Sequence, residues 1–255
     1  MDTSSRTVFI AGGTSGLGLA LAESLAAAGS TVVVGGRRTE VLEQIAAEHP
    51  GIDTVVIDVS DPVSITAARD SVLQRHPDLD TVVTMSGIMR PEDLRDPSHI
   101  DDAEATITTN LLGTIRLVDA FTPGFLERGS GTLVTVTSGI AFAPYPLTPA
   151  YGATKAGVHS YTVSLRTQLE GTGVEVVELV PPLVATELMP GQSQVPGALS
   201  VEDFTAEVMS LLGTDPTPEE ILVERVKRLR FAERDGTSAQ LLEERKATLS
   251  QLGHR

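Results

Sequence analysis

The sequence predicts an α/β fold, a single doubly wound parallel sheet of about seven strands with helices on both faces. Two observations predict it. Short runs rich in β-branched residues recur along the chain, separated by longer stretches of helix formers. The first run, Thr7–Ala11 (TVFIA), ends directly in the turn Gly12-Gly13-Thr14-Ser15-Gly16-Leu17-Gly18, and that turn opens a helix.

The elements follow in order. After the glycine turn, LALAESLAAA is a run of strong helix formers stopped by Gly29. Residues 31–34 (TVVV) form the second strand, which ends in Gly35-Gly36-Arg37-Arg38; residues 39–48 read as a helix. Residues 53–57 (DTVVI) are the third strand, ending in Asp58-Val59, and Asp61 is placed to cap a helix opened by Pro62. Residues 80–84 are the fourth strand, followed by Met85-Ser86-Gly87-Ile88. Residues 101–128 read as helix, interrupted around Thr122-Pro123, with Asn110 in an apolar context that favours a buried hydrogen-bonding role. Residues 132–137 (TLVTVT), bounded by Gly131 and Gly139, are a buried fifth strand with Ser138 at its end. A loop with Pro144, Pro146 and Pro149 leads to a helix from about Ala150 to Glu170 that carries Tyr151 and Lys155. Residues 174–180 (VEVVELV) are the sixth strand, followed by PPLVAT. Residues 191–200 are small and polar with Pro and Gly, and read as a mobile loop. Residues 201–212 are a helix, residues 220–223 a last strand, and the remainder to Arg255 is charged and helical.

Composition narrows the function. At 255 residues the chain fits one domain, residues 1–255, with 187–255 supplying a substrate loop and a helical C-terminal part. No apolar run reaches the roughly 18 residues of a membrane span. The first residues lack a basic segment followed by an apolar one, so no signal peptide is expected. There is no Cys, which excludes disulfides and thiolate chemistry and fits a cytoplasmic enzyme. A net charge of −15 argues against a nucleic-acid partner. The histidines (His49, His76, His99, His159, His254) show no ligand spacing, so no metal is expected.

Two groups of residues carry chemistry. Tyr151 and Lys155 are four apart and share a helix face. An ammonium beside a phenol favours the phenolate and lowers the tyrosine pKa toward the working pH. Composition would supply only about 0.04 such pairs by chance. A hydroxyl at the strand end, Ser138, would hold a carbonyl oxygen while the tyrosine protonates it. The second group is the glycine turn, spaced Gly-x-x-x-Gly-x-Gly at 12, 16 and 18. Strand, glycine turn and helix let backbone N–H groups approach a pyrophosphate. At the end of the second strand a dinucleotide site commonly has an acid for the ribose 2′-OH. Here Arg37 and Arg38 stand near that point instead, which suits a 2′-phosphate.

Taken together and in this order, these residues resemble the short-chain dehydrogenase/reductase family, over residues 7–186. The run from Ser138 to Leu188 is similar to members labelled DltE-type oxidoreductases. The resemblance implies a Rossmann-like fold and assigns sites. Gly12, Thr14, Ser15, Gly16, Leu17 and Gly18 would form the pyrophosphate turn; Asp58 and Val59 would contact the adenine. Ser86 and Gly87 would lie along the cofactor, and Pro181, Val184 and Thr186 would hold the nicotinamide end. Asn110, Ser138, Tyr151 and Lys155 match the catalytic tetrad. In that scheme Lys155 and Tyr151 also touch the cofactor, and Asn110 holds a water that reloads the proton. Two stretches depart from the family pattern. Thr84-Met85-Ser86-Gly87 stands where Asn-Asn-Ala-Gly is usual, and Pro181-Pro182 replaces Pro-Gly, so Pro182 offers no N–H.

The resulting expectation is an oxidoreductase moving hydride between NADP(H) and a ketone or secondary alcohol, with carbonyl reduction favoured. Its partner would be a small-molecule carbonyl or alcohol. A homodimer or homotetramer would pair through the helix after Gly87 and the Tyr151 helix. The loops 141–149 and 189–199 carry no charged anchor, so an apolar or moderately polar substrate skeleton is expected rather than a phosphorylated one. Two alternatives share the fold: a non-catalytic NADP(H)-binding regulator and a nucleotide-sugar epimerase or dehydratase. A regulator has no need of four tetrad residues, and the sugar-modifying relatives tend to be longer with a different glycine spacing.

Overall fold

The structure, a computed structural model, describes residues 3–251. Strands and helices alternate from the start: β1 Thr7–Ala11, α1 Gly16–Ala27, β2 Thr31–Gly36, α2 Thr39–Glu48, β3 Ile52–Val56, α3 Pro62–Arg75 and β4 Thr81–Thr84. The second half continues with α4 Ile100–Ile107, α5 Gly113–Arg128, β5 Gly131–Val136, α6 Pro149–Gln168, β6 Val174–Val180, α7 Val201–Leu212, β7 Glu220–Leu222, α8 Lys227–Arg230 and α9 Ser238–Lys246. The sheet has seven strands in the order β3-β2-β1-β4-β5-β6-β7. All pairs are parallel; Ile10 of β1, for example, stands opposite Val34 of β2 and Val83 of β4.

Strand side chains alternate between faces, so β1 serves two cores. Val8 and Ile10 pack with Leu21 and Leu25 of α1, Leu42 and Ile45 of α2, and Phe204 and Val208 of α7. Phe9 and Ala11 face the other way, toward Ile65 and Val72 of α3 and Leu117, Phe121 and Phe125 of α5. Because both faces are covered, the strands read as near-continuous apolar runs rather than alternating ones. Asp61 caps α3 as its position before Pro62 predicts, accepting from the Val63 N–H at 2.9 Å.

Two local expectations are corrected. Helix α5 runs through Pro123 without a break, because Phe121 and Phe125 on either side are buried and hold the segment in place. The interruption lies earlier, in a single wide turn at Thr108–Leu112 that contains Asn110. The stretch read as a mobile loop is anchored. The buried Gln192 amide donates to the Val184 carbonyl at 2.9 Å and to the Thr186 hydroxyl at 3.1 Å, and Leu199 bridges to Val184. The charged C-terminal stretch folds into α8, α9 and short turns; residues 252–255 of that expectation lie outside the described residues. Among the described residues no helix is long and apolar enough to cross a membrane.

Candidate active site

The chain winds away from β1 in both directions, and the crevice between β1 and β4 opens at the carboxyl ends of the strands. A cavity of about 1180 Å³ occupies that end. Its floor is the glycine turn. Gly12 has φ +96°, and a Cβ there would lie 2.5 Å from the Ser86 backbone nitrogen. A Cβ on Gly18 would lie 2.2 Å from the Gly12 carbonyl oxygen. Only glycine lets α1 begin this close to the turn, with its first N–H groups turned toward the cavity. Ser15 at the helix start makes no side-chain cap bond. A cradle that a Cβ would fill, at an uncapped helix N-terminus, suits a pyrophosphate.

Every residue expected to contact the cofactor lines this cavity. Thr14, Ser15, Gly16, Leu17, Arg37, Arg38, Asp58 and Val59 lie toward one end; Ser86, Gly87, Pro181, Val184 and Thr186 lie along it. Arg37 and Arg38 are both exposed at the edge. Gly36 is buried beneath them, and a Cβ there would sit 2.3 Å from Thr14 Cγ2, so a side chain would require Thr14 to move. Burial pushes the Asp58 carboxyl up, but hydrogen bonds from the Ser60 hydroxyl and amide, with Arg37 nearby, outweigh it and hold the group below its usual range. Asp58 is therefore an acceptor already oriented beside the cavity.

Ser138, Tyr151 and Lys155 meet further along the same cavity. Ser138 leaves the end of β5, and its Oγ accepts from the Ile140 N–H at 3.3 Å. Tyr151 and Lys155 project from the first turns of α6 and are both buried. Lys155 Nζ donates to the Val136 carbonyl at 2.8 Å and lies 5.6 Å from the centre of the Tyr151 ring. The expected lowering of the phenol pKa is not present here. Burial pushes Tyr151 up to about 12, against a smaller opposing pull from the Ser138 hydroxyl. Burial also brings Lys155 down to about 8. The ammonium is spent on a backbone carbonyl and the ring face, so desolvation governs both groups. At neutral pH the phenol keeps its proton and the ammonium keeps most of its charge.

Asn110 is fully buried behind this group and does not line the cavity. Its Oδ1 accepts from the Ile88 N–H at 2.9 Å and its Nδ2 donates to the Ile88 carbonyl at 2.8 Å and to Thr154 Oγ1 at 3.4 Å. It ties the segment after β4 to α6. Glu92, also buried, accepts from the Ala150 N–H at 2.9 Å, placing a carboxylate at the N-terminus of α6. Behind Ser138, the buried Glu178 of β6 accepts from the Thr137 hydroxyl at 2.6 Å and contacts His159 Nδ1 at 2.9 Å. His159, Glu178 and Glu220 are close enough together to hold a metal ion. Their donors are already engaged, since Arg230 makes two hydrogen bonds of 2.8 Å to Glu220 and Thr137 takes Glu178.

A model of the short chain dehydrogenase family matches residues 6–195. The chain belongs to that family. Among its relatives, the oxidoreductase DltE of Bacillus subtilis (strain 168), itself uncharacterized, is 34% identical over 241 residues, which cover 92% of this chain and 94% of that protein. The NADP-dependent 3-hydroxy acid dehydrogenase YdfG of Salmonella typhimurium is 32% identical over 178 residues, 69% of this chain and 72% of that protein. Among solved structures, an alcohol dehydrogenase from the archaeon Thermococcus sibiricus complexed with 5-hydroxy-NADP is 28% identical, with a TM-score of 0.77, covering 88% of this chain and 97% of that one. Short-chain dehydrogenases are oxidoreductases that bind a nicotinamide cofactor, and the seven-strand parallel sheet flanked by helices is their Rossmann-like fold.

Against that family frame, sequence reading missed three side chains. Glu92 is a lone acid in an irregular segment, with nothing local to single it out. Glu178 carried a readable signal, a second acid inside an otherwise apolar strand, three residues after the exposed Glu175 and so out of step with a solvent-facing alternation. Arg245 comes from α9, beyond the segment that matches the family, yet lines the same cavity as Tyr151. Residues 141–149 and 189–199 carry no charged side chain, whereas the C-terminal helix brings Arg245 to the same cavity.

Proposed function

We propose that this short-chain dehydrogenase is an NADP(H)-dependent carbonyl reductase, interconverting ketones and secondary alcohols with reduction favoured. The observation that carries the proposal is the buried Tyr151 phenol, held protonated beside Ser138 in a cavity that continues to the glycine turn and Arg37. A phenol that stays protonated at neutral pH is a general acid ready to act on a carbonyl oxygen.

Bound NADPH supplies the hydride that reduces the carbonyl carbon. Ser138 donates a hydrogen bond to the carbonyl oxygen and orients it. Tyr151 transfers its proton to that oxygen as negative charge develops. The Lys155 ammonium, over the ring, stabilises the phenolate that remains. Asn110 acts by position, holding Ile88 and, through Thr154, the helix that bears Tyr151. Toward the other end of the cavity, Arg37 binds the 2′-phosphate, with Arg38 beside it. Gly36 supplies no carboxylate to repel that phosphate, and any side chain there would have to displace Thr14. The NADP-dependence of YdfG and the 5-hydroxy-NADP bound to the Thermococcus sibiricus enzyme agree with this cofactor.

The test is NADPH consumption across a panel of ketones, with Tyr151→Phe alongside. The wild type should oxidise NADPH with at least one ketone. The variant should lose about 10²-fold or more in kcat while still binding NADPH. Near-normal turnover by Tyr151→Phe would overturn the assignment.

A further inference from the structure

The end of the cavity away from Arg37 is lined by Tyr145, Leu183 and Met189, and by two polar residues from the C-terminus, Arg245 and Thr248. Arg245 sits in the last turn of α9, and Thr248 follows three residues on. Besides Arg37, Arg38 and Lys155, the cavity is lined by two further cations, Arg90 and Arg245. Arg90 is already paired with Asp102. Arg245 has no carboxylate within ion-pair distance among the described residues, in a chain whose net charge is −15. Its neighbour Glu244 is taken by Arg228, at 2.8 and 2.9 Å. Glu187, which lines the cavity along with Asp58, is exposed and turned to its own loop, where it accepts from the Gly191 N–H and the Ser193 hydroxyl.

The way Arg245 is held matters. Nη1 donates to the carbonyls of Ala143 and Pro144, which fixes the guanidinium but does not neutralise it. Nε and Nη2 have no hydrogen-bond acceptor among the described residues. These two groups form the side-on fork that matches a carboxylate. The side chain is partly buried beside Tyr145, and desolvation lowers its pKa against the attraction of nearby acids. An arginine with no other use of its fork, partly stripped of water in a cavity wall, is stabilised by a bound anion.

We infer that Arg245 is a substrate-binding residue and that the substrates are oxo acids, whose carboxylate docks on its free fork while the carbonyl reaches Ser138 and Tyr151. The inference rests on the carbonyl-reductase reading above and narrows it to anionic carbonyl compounds. α9 lies beyond residues 6–195, which match the family model.

The experiment uses methyl-ketone acids of increasing length, from 3-oxobutanoate to 7-oxooctanoate, each paired with its methyl ester. The kcat/KM of each is measured with NADPH for wild type, Arg245→Gln and Arg245→Lys. In parallel, binding of each acid to the NADP⁺-loaded proteins is measured by calorimetry. At the length that spans the two sites, wild type should favour the acid over its ester by about ten- to hundredfold. Arg245→Gln should bring that ratio close to one and abolish the calorimetric signal, and Arg245→Lys should keep part of both. Acids and esters reduced equally well by wild type at every length would overturn the inference and leave the carbonyl-reductase reading intact. So would an acid preference that survives in Arg245→Gln. If no ketone is reduced at all, the reading of the reaction fails, and acid binding that disappears in Arg245→Gln still upholds the anion site; equal or absent binding in both proteins refutes it. Thermal unfolding of each variant identifies one that has lost its fold, and Arg245→Lys carries the same comparison if Arg245→Gln does so.

Discussion

Replacing Lys155 with Met should abolish turnover and at the same time flatten the pH dependence of stability. Lys155 is 4% exposed, and its pKa falls from 10.5 to about 8 on folding because burial disfavours the ammonium. That fall corresponds to about 3 kcal/mol between the protonation states. A folded pKa below the unfolded one means stability that is present above pH 10.5 and lost as pH falls through about 8. Between those values the unfolded chain binds a proton that the folded chain does not, so unfolding becomes harder by up to about 1.4 kcal/mol per pH unit. Tyr151 and Tyr161 work in the opposite sense, since burial raises both to about 12, but their contribution is lost only above pH 10. The window is therefore pH 8 to 10. Losing the hydrogen bond to the Val136 carbonyl shifts the variant's whole curve by a constant and leaves its slope untouched. The chain has no Trp, so urea unfolding followed by circular dichroism is the suitable assay. The stability difference, wild type minus Lys155→Met, should rise by about 2–3 kcal/mol from pH 8 to pH 10. Parallel curves would show that Lys155 is not a desolvated cation in the folded protein.

Other outcomes follow from the same geometry. Arg37→Ala should cut the NADPH-over-NADH preference in kcat/KM by about ten- to hundredfold; an unchanged ratio in both Arg37→Ala and Arg38→Ala would remove them as phosphate ligands. Gly18→Ala should weaken NADPH binding and cost roughly 2–4 kcal/mol of stability, because the new Cβ meets the Gly12 carbonyl at 2.2 Å; a variant with wild-type melting temperature and affinity would contradict the packing of α1 on the turn. Light scattering at micromolar concentration should report a homodimer or homotetramer, with the exposed Ile107 and Leu112 near α4 and α5 on the paired face; a monomer would refute it. EDTA should leave activity intact, and inactivation reversed by zinc or magnesium would direct attention back to His159, Glu178 and Glu220.

Much of the site was legible because its residues sit at strand ends or on one helix face, where sequence spacing and spatial spacing agree. The glycine turn follows β1 directly, Arg37 and Arg38 follow β2, Ser138 follows β5, and Tyr151 and Lys155 are one helical turn apart. In a parallel sheet all strand ends lie on one side, so these local signals converge without any long-range information. The alternation of strands and helices likewise announced the doubly wound sheet.

What the sequence could not settle depends on distant partners. The Tyr151–Lys155 spacing suggested a lowered phenol pKa, but burial and the Val136 carbonyl, seen only in the folded chain, reverse that direction. Pro123 read as a break, and the packing of Phe121 and Phe125 outweighed its local preference. Asn110 was legible as buried, yet its use on Ile88 and Thr154 required the positions of two other segments. Glu92 at the start of α6 and Arg245 against Ala143 and Pro144 are contacts across 58 and 102 residues of chain. Backbone propensity and side-chain period act over a few residues and so fixed which elements form and where their ends lie. Desolvation and charge pairing depend on what the fold brings within a few ångströms, and only the tertiary structure decides that.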